Sequence, residues 1–139
     1  MKHFYSKIDE SELLHMVYRL NDVVNSRENI TPANQYLQVA SIMMDSGHTF
    51  RPHKHIETIR TTDITQESWV VIQGKVRAIL YDLDDTILAT PILEPGDCSI
   101  TFKGGHNYEC LEDNTIVYEY KTGPYLGVEK DKTFLKEQV

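Results

Sequence analysis

Short apolar segments separated by turn residues fill most of the chain after residue 35. β-branched and aromatic residues dominate these segments, which is typical of strands. Turns are indicated between them by Gln73-Gly74, Glu94 to Asp97 and Lys103 to Gly105. Many strands with no helix between them predict an all-β sandwich or barrel. The predicted strands are 36–44, 49–56, 68–73, 75–81, 86–92, 99–102, 106–111 and 115–121.

The N-terminal region shows a different periodicity. Leu13, Val17, Leu20 and Val24 recur at the spacing of one helix face, after a start that resembles a capping box. This pattern predicts one amphipathic helix over 10–25. His15 stands among polar neighbours in that helix and is interpreted as a solvated surface residue.

The length of 139 residues indicates a single domain over 1–139. Residues 1–34 form the predicted helix and lead-in, 35–127 the barrel, and 128–139 a charged tail that ends frayed or as a final strand. The net charge of −7 argues against a nucleic-acid partner, because binding phosphates requires a basic face.

The two cysteines, Cys98 and Cys110, lack the spacing of a zinc knuckle or a redox pair. The N-terminus has no apolar core of a signal peptide, and no apolar run approaches the length of about 18 residues needed to span a bilayer. These observations predict a cytoplasmic protein that does not interact with membranes, with both cysteines as small, buried and reduced side chains.

The first candidate metal ligands are His53 and His55, which are separated by one residue. On a strand they share one face. Glu67 precedes an apolar run and shares a face with Trp69, so we expect a carboxylate inside the barrel, where a cation would compensate its charge. His106 follows a glycine turn. Such a mixed set suits one divalent ion of Fe, Mn, Ni or Zn, and a metal-free polar pocket is the alternative.

The stretch from Gly47 to Gly74 resembles the first motif of the cupin superfamily, G-x5-H-x-H-x3-4-E-x6-G. Both ends of the motif match in spacing, and eleven residues replace the usual three or four before the glutamate. The segment from Gly96 to Cys110 resembles the second motif, with Phe102 in place of its proline. The resemblance implies a double-stranded β-helix, or jelly roll, whose metal ligands are His53, His55, Glu67 and His106.

The segments Arg51 to His55 and Glu119 to Tyr125 resemble the WbuC-type cupins and their relatives. Those proteins are associated with gene clusters for surface polysaccharides and acidic sugars. The resemblance therefore implies a small-molecule ligand that is a carbohydrate or an anion.

Candidate substrate and catalytic residues lie near the predicted ligands. Arg51 shares the face of His53, and arginine suits carboxylate or phosphate groups. Tyr36 and Lys121 are the other candidate substrate-binding residues. Tyr108 shares the face of His106 and is a candidate general acid, and Glu119 is the second candidate catalytic residue.

These residues predict a metal-dependent isomerase or epimerase acting on a sugar or sugar nucleotide. The alternatives are an iron-dependent oxygenase, a non-catalytic carbohydrate-binding metalloprotein, and a metal-free epimerase that uses a histidine base and a tyrosine acid. Sheet edges and apolar outer faces of a small jelly roll need covering, which predicts a homodimer.

Overall fold

The structure is a computed structural model that describes residues 1–136 of the chain. It is an all-β fold in which strands hold 36% of the residues, which confirms the predicted all-β class. The strands are β1 (Lys2–Tyr5), β2 (Leu13–Tyr18), β3 (Arg27–Asn29), β4 (Ala40–Ile42), β5 (Glu67–Gln73), β6 (Val76–Tyr81), β7 (Ile87–Ala89), β8 (Ile92–Leu93), β9 (Cys98–Thr101), β10 (His106–Cys110) and β11 (Ile116–Lys121).

Every strand pair is antiparallel, and the pairs form two main sheets and one hairpin. The first sheet has five strands in the order β1-β2-β9-β5-β11. The second has the order β10-β6-β7, with β8 also paired to β6. The hairpin joins β3 to β4. The two main sheets pack face to face through one apolar cluster that includes Val17, Val71, Val76 and Leu80.

A second apolar cluster covers the outer face of the five-stranded sheet. Met16, Ile100 and Phe102 lie in it beside Ile30 and the partly buried Leu37 of the segment before β4. The five-stranded sheet is therefore buried on both faces near its centre. A strand buried on both faces shows a continuous apolar run instead of alternation.

That double burial explains why the predicted N-terminal helix is wrong. The segment folds as strand β2 from Leu13 to Tyr18, followed by a short 3-10 helix at Leu20–Asp22. The continuous apolar run of β2 satisfies a helical spacing and a strand equally well, and sheet pairing decides between them. The described part of the chain has one α-helix, α1 (Val128–Asp131), near the opposite end.

Two predicted strands are shorter or missing. The segment 36–44 contributes only β4, and 49–56 forms no regular structure. The strands predicted after residue 66 are all present, with 86–92 split between β7 and β8. Part of the predicted tail, residues 137–139, lies outside the described residues.

Candidate functional site

Glu67 and His106 meet between the two sheets. Glu67 opens β5, and its side chain shares the inward face with Trp69 and Val71, as alternation along a strand requires. Only 6% of Glu67 is exposed. Its Oε1 lies 3.1 Å from Nε2 of His106, the first residue of β10. The pair thus joins the five-stranded sheet to the edge strand of the other sheet.

The carboxyl group of Glu67 is ionised in this pair. Burial raises the pKa of its carboxyl group, but the hydrogen bond from His106 and nearby positive charges, including Lys121, outweigh burial and hold the pKa below its usual range. An ionised carboxylate only accepts hydrogen bonds, so Nε2 of His106 carries the proton that bridges them.

The other ring nitrogen of His106 is left without a partner. Nδ1 is shielded from solvent, and no described residue donates to it or accepts from it. In a neutral imidazole that donates through Nε2, Nδ1 carries a free lone pair. A buried lone pair without a donor costs free energy unless a donor or a metal ion meets it.

Aromatic rings cover the floor of this region. Trp69 and Tyr108 stack with their ring centroids 3.9 Å apart and their planes at 8°. The Tyr108 hydroxyl lies 2.8 Å from Oγ of Ser99. Burial holds the pKa of Tyr108 well above its ordinary value, so this hydroxyl keeps its proton at neutral pH.

Two charged side chains of β11, Glu119 and Lys121, lie beside Trp69 and Glu67. Glu119 accepts a hydrogen bond of 3.2 Å from Nε1 of Trp69, and its other carboxylate oxygen lies 3.4 Å from Nζ of Lys121. Lys121 also reaches Asp131 at 3.6 Å and sits over the Tyr125 ring at 4.4 Å. In register, Lys121 stands opposite Glu67 and Glu119 stands opposite Trp69. The candidate catalytic and substrate-binding residues of β11 therefore adjoin the Glu67–His106 pair.

His53 and His55 lie on a different part of the molecule, the exposed segment 43–64, which we call the arm. Their ring centroids are 5.6 Å apart, which keeps them close to each other. Nδ1 of His53 lies 3.0 Å from the carbonyl oxygen of Arg51, and all three residues are exposed. Tyr36, before the arm, donates a hydrogen bond of 2.9 Å to Asp63 near its end.

The predicted ligands therefore form two pairs instead of one cluster. Among residues 1–136, no group of three or more His, Cys, Asp or Glu side chains is placed to hold a metal ion. The expectation that all four converge is not met in this conformation, because residues 49–56 do not form the predicted strand. The donors still fit a metal by chemistry, since each pair brings two suitable groups together.

The structure also reveals a buried histidine that the sequence interpretation placed on the surface. His15 has no exposed surface, and its ring lies 3.0 Å from Oγ1 of Thr101 and 2.9 Å from the carbonyl oxygen of Tyr81. Desolvation lowers its pKa to about 4, so it is neutral. The signal that would have revealed it is its place inside the run Leu13 to Tyr18, which is apolar apart from this histidine.

The two cysteines differ in environment, and both are free thiols. Cys98 is buried in the outer apolar cluster, and burial raises the pKa of its thiol to about 11. Cys110 is exposed at the end of β10. Cys98 thus fits the predicted role of a small buried side chain, whereas Cys110 does not.

A surface cavity of about 410 Å³ lies away from these residues. Its charged lining consists of internally paired groups, with Arg19 bound to Asp97 and Lys75 bound to Glu94 and Glu112. None of the predicted site residues lines it. The Glu67–His106 region remains the candidate site.

Comparison of the chain with protein-family models, with curated proteins and with solved structures gives no match. Over residues 1–136, no helix has both the length and the apolar character needed to cross a membrane.

Proposed function

We propose that the protein is a metal-binding jelly roll of the cupin type that acts on a sugar or sugar nucleotide as an isomerase or epimerase. Three features support this proposal. The fold consists of two facing antiparallel sheets. Glu67 points inward on β5 and His106 meets it from β10. The motif resemblances over Gly47 to Gly74 and over Gly96 to Cys110 select Glu67 and His106, respectively. The link to surface polysaccharides and the cytoplasmic location rest on the sequence alone.

The observation that carries the proposal is the 3.1 Å spacing of Glu67 Oε1 and His106 Nε2. Two ligand atoms at about 2.1 Å from one ion, at right angles, are about 3 Å apart. The pair is thus spaced so that one metal ion would take the place of the bridging proton, with Glu67 and His106 as two of its ligands. His53 and His55 of the arm would supply the other two donors.

A metal held by these residues would polarise a sugar carbonyl as a Lewis acid. The chain's own groups supply the remaining functions. Lys121, and Arg51 on the arm, hold an anionic group of the substrate. Glu119 is the more exposed carboxylate beside the pair and takes the proton from the carbon next to the carbonyl. Tyr108, which stays protonated, is the acid.

Metal analysis of the purified protein tests the proposal. We expect about one divalent ion per chain, and occupancy reduced severalfold in His106→Ala and in His55→Ala. His48→Ala, which changes another exposed histidine on the arm, is the matched control and keeps full occupancy. A fully metallated His106→Ala protein would disprove the assignment.

The Glu67–His106 pair also favours a second candidate, the metal-free epimerase. A carboxylate that accepts from one ring nitrogen orients the imidazole, and the free lone pair on Nδ1 then acts as a general base. The two candidates differ after chelation. Binding and turnover of a sugar nucleotide would survive removal of all metal in the metal-free epimerase and would be lost in the metal-dependent one.

A further inference from the structure

The arm is an unusually exposed part of the chain. It connects β4 to β5, has no regular structure, and all of its residues are exposed. Two of its apolar side chains are almost fully exposed, Ile56 at 88% and Ile59 at 96%. Connections of this length without secondary structure are uncommon in compact domains and are usually functional. Apolar side chains held in water in this way indicate a missing contact surface.

The edge of β10 is a surface to which an extended segment such as the arm can pair. Within residues 1–136, β10 pairs with β6 on one side and with no strand on the other. The Tyr108 N–H does not bond to β6 and donates instead to the side chain of its neighbour Asn107, at 2.8 Å. An open edge of this type accepts an added strand, which contributes main-chain hydrogen bonds.

The same edge carries the incomplete site. His106 opens β10, and its shielded Nδ1 has no partner in the described part of the chain. The arm carries the two histidines that are separated from Glu67 and His106. Its segment 48–56 contains Arg51 and Lys54 and no carboxylate, whereas the whole chain carries a net charge of −7. Charge therefore favours docking of this segment on the body of the protein.

We propose that the arm of one chain adds as a strand along β10 of a second copy, so that each site combines His53 and His55 of one chain with Glu67 and His106 of the other. In a single chain, the pair His53 and His55 lies apart from the pair Glu67 and His106, and Ile56 and Ile59 are exposed to water. The sheets of the same chain therefore do not hold the arm. Reciprocal exchange buries both arms in a closed two-fold dimer. The inference rests on the proposed metal site for its ligand, but its first test does not.

The first test is the mass in solution by light scattering at micromolar concentration. We expect twice the chain mass of 16.1 kDa. The double variant Ile56→Ser, Ile59→Ser removes apolar contacts of the arm and should raise the dimer dissociation constant at least about 100-fold. The matched control is Ile87→Ser, Ile92→Ser, which changes two exposed isoleucines on β7 and β8 and leaves the dimer intact.

The second test is complementation of metal binding. His53→Ala, His55→Ala lacks one half of the site, and His106→Ala lacks the other. When the two variants are refolded together in equal amounts, half of the dimers contain one chain of each kind. Each of these mixed dimers holds one complete site. The mixture should bind about one quarter of the wild-type metal, by random pairing in a two-fold dimer. Each variant alone should bind far less.

The outcomes separate this inference from the proposed function. A monomeric wild type, or a dimer that the arm variants leave unchanged, overturns the exchange. A wild type that binds metal while the mixture recovers none also overturns it, because the arm then closes on its own chain. A wild-type dimer without metal that the arm variants dissociate refutes the metal site and supports the exchange.

Discussion

Trp69 of β5 and Tyr108 of β10 stack face to face across the two sheets, with ring centroids 3.9 Å apart. Each ring also makes a polar contact, Trp69 with Glu119 and Tyr108 with Ser99. The stack therefore joins the sheets beside Glu67 and His106 and holds the floor of the candidate site in place.

Substitutions in this stack should have separable effects on stability. Tyr108→Phe keeps the ring but leaves the buried Ser99 hydroxyl without its partner, at a cost of about 1–2 kcal/mol in the free energy of unfolding. Trp69→Ala removes the ring and should cost about 3 kcal/mol. Tyr118→Phe, on the exposed outer face of β11, is the control and should change little. Urea unfolding measures all three, and equal losses for Tyr108→Phe and Tyr118→Phe would contradict the buried contact.

His15 should make stability depend on pH. Its pKa is about 4 in the folded protein and about 6.5 when unfolded. The unfolded chain therefore binds the proton more readily, so stability is at its full value above about pH 7 and falls as the pH drops through 6.5 towards 4. The loss reaches about 3 kcal/mol.

Replacing His15 by Gln should remove that part of the pH dependence, because an amide can still donate and accept but does not titrate. His3→Gln, at an exposed position, is the control and keeps the wild-type profile. Urea unfolding at pH 7, 5.5 and 4 provides the comparison. Identical profiles for His15→Gln and the wild type would show that His15 is not buried as described.

Two glycines form a matched pair for a turn prediction. Gly74, between β5 and β6, has φ of +77°, and an added Cβ would lie 2.9 Å from Cα of Thr115. Gly47 has a similar φ of +82° but open space around it. We expect Gly47→Ala to cost about 1 kcal/mol from backbone strain alone. Gly74→Ala adds a clash with backbone and should cost about 2–4 kcal/mol. Equal melting temperatures of the two variants would contradict the close approach of Thr115.

Lys121 should matter for ligand binding more than for stability. Its partners Glu119 and Asp131 are more than 3.3 Å away and Glu119 is partly exposed, so Lys121→Gln should change the free energy of unfolding by less than about 1 kcal/mol. Affinity for a hexose phosphate should fall at least about tenfold, because the cation facing the site is lost. Calorimetric titration measures this, with Lys2→Gln, far from the site, as the control. An unchanged affinity would remove Lys121 from the binding residues.

Local pattern was sufficient for the strands after residue 66. In β5, alternation placed Glu67 and Trp69 on one face, and the structure shows both turned inward. The turn at Gly74 follows from the need for a positive φ, which glycine meets at the lowest cost. Periodicity and turn chemistry are properties of a few neighbouring residues, so the sequence alone determines them.

Only the tertiary structure decided the fate of β2, His15 and the arm. The run Leu13 to Tyr18 fits helix and strand equally, and it becomes a strand because β1 and β9 pair with it on either side. His15 is neutral because distant segments bury its ring, where Nε2–H donates to the carbonyl oxygen of Tyr81 and the hydroxyl of Thr101 donates to Nδ1. His53 and His55 have the local pattern of ligands, yet a strand forms only where another strand supplies its hydrogen bonds. Within residues 1–136 the arm has no such partner, and that absence depends on long-range pairing, which no local pattern determines.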